Sequence, residues 1–136
     1  EALRRFLGNV QTKNQVLSCL VYVPANAQTK EALHGVVCDV EAAYRVPVLV
    51  GFGPQYLHST GQLHKGGSDR AFHLVLTCDW SEIPGLESQN GVGLGSVALA
   101  QGLADVEALI SRGRAVLHLH YHGDHKEVLE KLGGLF

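Results

Sequence analysis

The sequence has 136 residues, 46% of them hydrophobic and 18% charged, with a formal net charge of −2. This length and composition fit one globular domain with its own core and exclude a disordered chain, which needs low hydrophobicity and high net charge. Acidic and basic residues are scattered, so no basic track for nucleic acid exists, and no apolar run approaches the roughly 20 residues that span a bilayer.

The cysteines indicate the redox compartment of the protein, and the first residue indicates whether the chain is part of a longer protein. Cys19, Cys38 and Cys78 lie in apolar stretches and show no paired spacing. Such cysteines are typical of buried free thiols, which favours a reducing cytoplasm over a disulfide framework. The chain begins at Glu1 and contains no methionine. We therefore expect one domain over residues 1–136 that belongs to a longer protein.

The first half of the chain predicts strand, helix, strand. Residues 16–23 form a short apolar run ended by Pro24, as in a strand buried on both faces. Residues 46–52 are rich in β-branched side chains and end at a Gly-Pro pair, which indicates a second strand. Between them, apolar residues recur at the three- and four-residue steps of an amphipathic helix: Leu33, Val36, Val37, Val40 and Tyr44.

The second half continues the alternation. Residues 71–78 and 115–121 predict two further strands, and residues 126–132 a closing helix. A helix between the strands is indicated by one apolar stripe and by Gly113 as its terminator. The stripe consists of Leu99, Leu103, Val106 and Ile110. Alternating strands and helices are the pattern of βαβ units, so we expect a parallel sheet covered by helices.

The segment after the second strand is the predicted ligand site. In open parallel sheets, ligands bind beyond the carboxyl ends of the strands. Residues 51–67 combine imidazole, ammonium, hydroxyl and carboxamide groups with five glycines. Such groups suit a polyhydroxylated substrate, because they supply hydrogen bonds and a proton shuttle near neutral pH. The alternative is a solvated loop with Ser59 as a helix N-cap.

Residues 57–67 read LHSTGQLHKGG. This string resembles, without a gap, a signature in the C-terminal part of the phosphoglucose isomerases that are fused to transaldolase. The resemblance extends more loosely over nearly the whole chain. It includes residues 16–23, Asp79 with residues 83–85, Ala100 and Gln101 with Asp105, and residues 113–117.

The resemblance implies a sugar-isomerase (SIS) domain, an α/β flavodoxin-like three-layer sandwich with a mostly parallel sheet. The implied reaction converts glucose 6-phosphate to fructose 6-phosphate without a cofactor. His58 matches the histidine that opens the sugar ring, so it is the expected catalytic residue. Ser59, Gln62, Lys65 and Gln101 are the expected substrate contacts. The implied partners are the phosphosugar, an upstream isomerase or transaldolase domain, and a second copy in a homodimer.

The chain also departs from the family pattern. It has Gln55 where the family has Arg, Ser68 where it has Pro, and Ala98 where relatives often have Lys. The catalytic glutamate of the family lies upstream of the matching segment and has no counterpart in these residues. We therefore expect the isolated chain to be inactive, and a non-catalytic phosphosugar-binding or dimerisation module is the alternative function.

A second alternative is a small zinc protein that uses the C-terminal histidines. Residues 118–125 contain the string HxHxDH, which can ligate zinc after a strand. The hydrolase fold that carries this string needs further ligands downstream, and few residues follow His125. Strand alternation places His118, His120 and His122 on one face, where exposure to solvent or an interface suffices to explain them. We therefore expect no metal.

Overall fold

The chain folds into a parallel sheet between two layers of helices. The computed structural model describes residues 1–10, 14–53, 61–79, 93–122 and 127, and only the backbone of residues 61–63. Its elements in chain order are α1 (Ala2–Gly8), β1 (Val16–Tyr22), α2 (Ala27–Tyr44), β2 (Val48–Phe52), α3 (Gly61–Gly66), β3 (Ala71–Cys78), α4 (Leu94–Ser111) and β4 (Ala115–Tyr121).

The strands lie side by side in the order β2-β1-β3-β4, and all of their pairings are parallel. The strand register determines which residues of neighbouring strands lie side by side. Tyr22 at the end of β1 is level with Thr77 of β3, and Thr77 is level with His120 of β4. Near the start of the strands, Ser18 is level with His73. Polar side chains far apart in sequence are thereby brought to the same level.

One face of the sheet is covered by α1 and α2. Apolar side chains of both helices pack with those of β1 and β3 in one continuous core. The stripe predicted for α2 is confirmed, because Leu33, Val36 and Val40 are buried. The two central strands are buried almost throughout, which accounts for their near-continuous apolar sequence.

The opposite face is covered by α4, and here the predicted apolar stripe is correct only in part. Leu99 and Val106 are half-buried, and Val106 packs against the core. Leu103 and Ile110 are 47% and 59% exposed. The residues that α4 buries are instead Ala98, Gly102, Asp105 and Leu109. The cause is the close approach of the helix to the sheet, since a Cβ at position 102 would lie 2.8 Å from Thr77 Cγ2 and 3.1 Å from the Tyr22 ring. Small residues and one paired carboxylate therefore replace large apolar residues.

The predicted strands are confirmed, although β2 begins at Val48 rather than at residue 46. Gly113 follows α4 with a positive φ of 68°, as expected for its terminator. Helix α1 was not predicted, because seven residues give too short an apolar pattern to detect. The predicted helix over residues 126–132 lies almost entirely outside the described residues.

By length and composition, α4 is also a candidate membrane span. It has 18 residues and a mean hydropathy of 1.2, which the sequence pattern had not led us to expect. In this fold its buried side carries Asp105 and rests on the sheet. A helix that packs on a sheet can bury a carboxylate if the carboxylate has polar partners. The hydrocarbon of a bilayer disfavours such a charge, so the buried Asp105 fits a helix of an α/β domain.

Two glycines should respond to alanine in opposite directions. Neither Gly35 nor Gly113 has an atom within 4 Å of the position that a Cβ would take, so steric clash does not enter. Gly35 lies inside α2, where Gly35→Ala should stabilise the protein by about 1 kcal/mol. At its positive φ, Gly113→Ala should cost about 1 kcal/mol. Urea unfolding of both variants checks this, and equal signs would contradict the backbone assignment.

Candidate active site

The carboxyl edge of the sheet contains a topological switch point between β1 and β3. From β1 the chain proceeds to β2 on one side, and from β3 to β4 on the other. Connections that leave in opposite directions open a crevice, which is where ligands bind to sheets of this kind. Tyr22 and Thr77 lie level with each other at the ends of these two strands. The sequence predicted a site at this edge, but in the segment that follows β2, of which residues 54–60 lie outside the described residues.

A buried polar network lies on the α4 side of these strands. Lys65 Nζ of α3 is 2.6 Å from Asp105 Oδ1 of α4. The Tyr22 hydroxyl donates a hydrogen bond of 2.5 Å to Asp105 Oδ2. Asp105 therefore joins α3, α4 and β1, and each of its carboxylate oxygens has a partner. A buried carboxylate needs such partners, because desolvation of an unpaired charge is costly.

Lys65, one of the predicted substrate contacts, is thus engaged within the protein. Two further contacts hold its segment, since Arg112 donates to the Lys65 carbonyl oxygen at 3.1 Å and Arg114 to that of Gly67 at 2.5 Å. An ammonium with a bound carboxylate is a weak anchor for a phosphate, because its charge is already compensated. In this structure Lys65 fixes α3 against α4.

Gln101, another predicted contact, lies one helical turn before Asp105. Its Oε1 atom is buried and has no hydrogen-bond partner among the described residues. Residues four apart share a helix face, so Gln101 lies on the side of α4 that carries Asp105. A buried acceptor normally has a donor.

The remaining predicted residues are in the segment between β2 and α3. His58 and Ser59 lie outside the described residues. Gln62 belongs to α3, and only its backbone is described. The end of β2 at Phe52 and the start of α3 at Gly61 show that this segment starts from the carboxyl edge of the sheet.

A second histidine cluster lies toward the start of the strands and was not predicted. His64 Nδ1 is 3.3 Å from the Ser18 hydroxyl, and the His64 ring packs edge-on against His73 with centroids 5.5 Å apart. His73 is fully buried, and in the described part of the chain neither of its ring nitrogens has a hydrogen-bond partner. Burial, together with His64 and Arg114, lowers the pKa of His73 to about 4, so its ring is neutral near pH 7.

A third cluster surrounds Thr77 at the end of β3. The Thr77 hydroxyl is 2.8 Å from His118 Nε2 and 2.7 Å from His120 Nδ1. Asp79 contacts the other nitrogen of His120 at 3.1 Å and His122 Nδ1 at 2.9 Å. The hydrogen bond from His122 is the main reason that the pKa of Asp79 is lowered. Burial, followed by the nearby His120, lowers the pKa of His118.

All three cysteines are free; the burial predicted for them is confirmed for Cys19 and Cys78 and is wrong for Cys38. Burial raises the pKa of the Cys19 thiol to about 12. Burial, with a smaller effect of Asp79, raises the pKa of Cys78 to about 11. Cys38 is exposed, and its sulfur is 3.7 Å from His34 Nδ1. The two buried thiols are protonated near pH 7, so they are not nucleophiles.

The sheet order and the helical layers define a flavodoxin-like, three-layer α/β domain with a parallel sheet. No protein-family model matches the sequence. No curated protein matches it either. Among solved structures, the chain is similar to a hypothetical protein, TT0462, from Thermus thermophilus, with a TM-score of 0.62 at 18% identity. The match covers 98% of this chain and 35% of that one, and it shows the fold alone.

Proposed function

We propose that this chain is a sugar-isomerase domain that serves the interconversion of glucose 6-phosphate and fructose 6-phosphate. The observation that carries the proposal is the ion pair between Lys65 and Asp105. These residues belong to two separate segments that resemble phosphoglucose isomerase, the LHSTGQLHKGG string and the helix with Gln101 and Asp105. Their contact beside Tyr22 makes the two segments parts of one structural unit at the switch point.

His58 falls in the sequence between two described elements. β2 ends at Phe52, level with Val21 near the end of β1, and the described chain resumes at α3. The Lys65–Asp105 pair and the contacts from Arg112 and Arg114 hold α3 and Gly67 in place. We therefore propose that His58 is held against a ligand in the crevice, because an acid/base group must be positioned beside the reacting atoms.

The proposed chemistry needs only proton transfers, so no cofactor enters. Ring opening moves a proton between the anomeric hydroxyl and the ring oxygen, and His58 would act as the acid/base because imidazole titrates near neutral pH. Gln101 Oε1 would accept a hydrogen bond from a sugar hydroxyl. The proton transfer between C2 and C1 needs a carboxylate base, which we assign to an upstream isomerase domain or to the second copy of a homodimer.

The second candidate is a phosphosugar-binding or dimerisation module without catalysis. Asp105 favours it, because this carboxylate is paired with Lys65 and Tyr22 and is therefore not available as the base that isomerisation needs. Both candidates share the carboxyl edge as the binding surface, and they differ in turnover alone. For either, the free cysteines support a cytoplasmic location.

The binding surface can be tested by nuclear magnetic resonance. In a titration of the ¹⁵N-labelled chain with glucose 6-phosphate, we expect saturable shifts for the amides of Tyr22, Gly53 and Gln101, at the carboxyl edge. Gln101→Ala should weaken binding about tenfold, the value of one hydrogen bond of roughly 1.4 kcal/mol. The matched control is Gln28→Ala, since Gln28 is exposed on α2. Absence of saturable shifts, or shifts confined to the opposite edge, would contradict the proposal.

A further inference from the structure

Three side chains at the ends of β3 and β4 present metal-ligating atoms to one another. Asp79 follows β3, His120 lies in β4, and His122 follows β4. One ligand atom from each residue lies within 4.8 Å of the other two. The cluster brings together two imidazoles and a carboxylate, a donor set used by divalent transition metals.

The sheet register builds this cluster. Cys78 is paired with Tyr121, and the Asp79 amide donates to the Tyr121 carbonyl oxygen at 3.0 Å. Asp79 is therefore fixed beside the end of β4. Side chains alternate along a strand, so His120 and His122 fall on the same side of the chain, with Asp79 within reach of both. The backbone thus preorganises the three ligands.

Thr77 orients one of the imidazoles. Its hydroxyl is 2.7 Å from His120 Nδ1, and the other ring nitrogen, Nε2, faces Asp79. A proton on Nδ1 that is donated to Thr77 leaves the Nε2 lone pair available to a metal. Histidine ligands in metal sites are held in this way by a hydrogen bond at the second nitrogen, which fixes both the tautomer and the ring orientation.

We propose that Asp79, His120 and His122 bind a Zn²⁺ ion. Imidazole nitrogen with carboxylate oxygen suits Zn²⁺ better than Mg²⁺ or Ca²⁺, which prefer oxygen ligands alone. Ligand atoms at usual distances from a tetrahedral zinc ion are about 3.4 Å apart. Asp79 contacts His120 and His122 through its two different oxygens, at 3.1 and 2.9 Å, and the three ligand atoms all lie within 4.8 Å of one another. Rotation of the exposed His122 side chain would bring them to zinc-binding spacing. Three protein ligands leave the fourth position to water or to a further ligand.

The site differs from the one that the sequence pattern suggests. The HxHxDH string offers Asp124 as its carboxylate, whereas the structure supplies Asp79 from the neighbouring strand. Asp79 is 41 and 43 residues before the two histidines in the sequence, so the HxHxDH string alone does not identify it as a ligand. The proposal does not rest on the isomerase function, since none of its three ligands belongs to the Lys65–Asp105–Tyr22 network.

Zinc binding to the stripped, dialysed chain tests the inference. We expect one Zn²⁺ per chain by elemental analysis and a higher melting temperature with added Zn²⁺. His122→Ala and Asp79→Asn should each weaken the affinity at least tenfold, measured by competition with a chromophoric chelator. His122 is 81% exposed, so its removal leaves the core intact. Thr77→Val should weaken binding about 10- to 100-fold through the orientation of His120.

His34→Ala is the matched control, because His34 is an exposed histidine on α2 with Cys38 as a neighbouring donor. It should retain the affinity of the wild type. The inference is overturned if the stripped chain takes up no stoichiometric zinc when Zn²⁺ is added. It is also overturned if His122→Ala and Asp79→Asn leave the zinc affinity unchanged. Loss of binding in His34→Ala would instead place the ion at α2 and would equally overturn it.

Discussion

Replacing Lys65 with methionine should destabilise the chain by about 3 kcal/mol, the lower end of the cost of breaking a buried ion pair. Asp105 is only 5% exposed, so its carboxylate has little access to water when the ammonium is removed. Asp105→Asn should cost less, about 1 to 2 kcal/mol, because the Lys65 side chain is 23% exposed and its ammonium can be rehydrated. Urea unfolding at pH 7 measures both.

The asymmetry between the two variants is the specific part of this prediction. In the double variant the two costs should not add, because the first substitution already removes the interaction. Glu107→Gln is the matched control, as Glu107 is an exposed carboxylate on the same helix, and it should change stability by less than about 0.5 kcal/mol. Equal small effects for Lys65→Met and Glu107→Gln would show that the pair is solvated.

Replacing His73 with leucine should make the chain more resistant to acid. The pKa of His73 is lowered to about 4 in the folded chain, against about 6.5 when unfolded, so protons bind preferentially to the unfolded state. The wild type should therefore keep its full stability above about pH 6.5. As the pH falls from there to 4, it should lose as much as about 3 kcal/mol through this residue.

In His73→Leu that loss should disappear. The unfolding free energy should then fall less steeply with decreasing pH, and part of the remaining fall comes from His64, because burial lowers the pKa of His64 as well. At pH 7 the variant should be as stable as the wild type or more so, because leucine fills a similar volume without two buried, unsatisfied nitrogens. Unfolding free energies at several pH values measure the effect. His34→Leu, an exposed control, should keep the slope of the wild type, and an identical slope in His73→Leu would contradict the prediction.

Most of the fold could be predicted from the sequence, because apolar runs report directly on strands that are buried on both faces. The central strands β1 and β3 satisfy this condition, so their positions can be read from composition. β4 is a half-buried edge strand, and its alternation of apolar residues with histidines predicted it instead. Helix α4 shows where such reading fails. Its buried face is determined by the space that Tyr22 and Thr77 leave beneath Gly102, and that space depends on which strands are neighbours.

The candidate site could be predicted in part. The alternation of strands and helices predicted a parallel sheet with a ligand site at its carboxyl edge. Side-chain alternation placed His118, His120 and His122 on one face. No sequence pattern indicates that Lys65 pairs with Asp105, or that Asp79 joins His120 and His122, because each contact crosses between elements that are distant in the chain. The burial of His73 was likewise hidden, since a lone histidine in an apolar strand does not reveal its surroundings.

Isomerase turnover by the full-length gene product tests the proposed function most directly. We predict that the wild type converts glucose 6-phosphate to fructose 6-phosphate and that His58→Ala lowers kcat by about 10²- to 10⁴-fold, the usual contribution of an acid/base residue. His34→Ala should leave kcat unchanged. Undiminished turnover in His58→Ala would contradict the role of that imidazole, and a wild type that binds the sugar phosphate without converting it would leave a binding module in place of an isomerase.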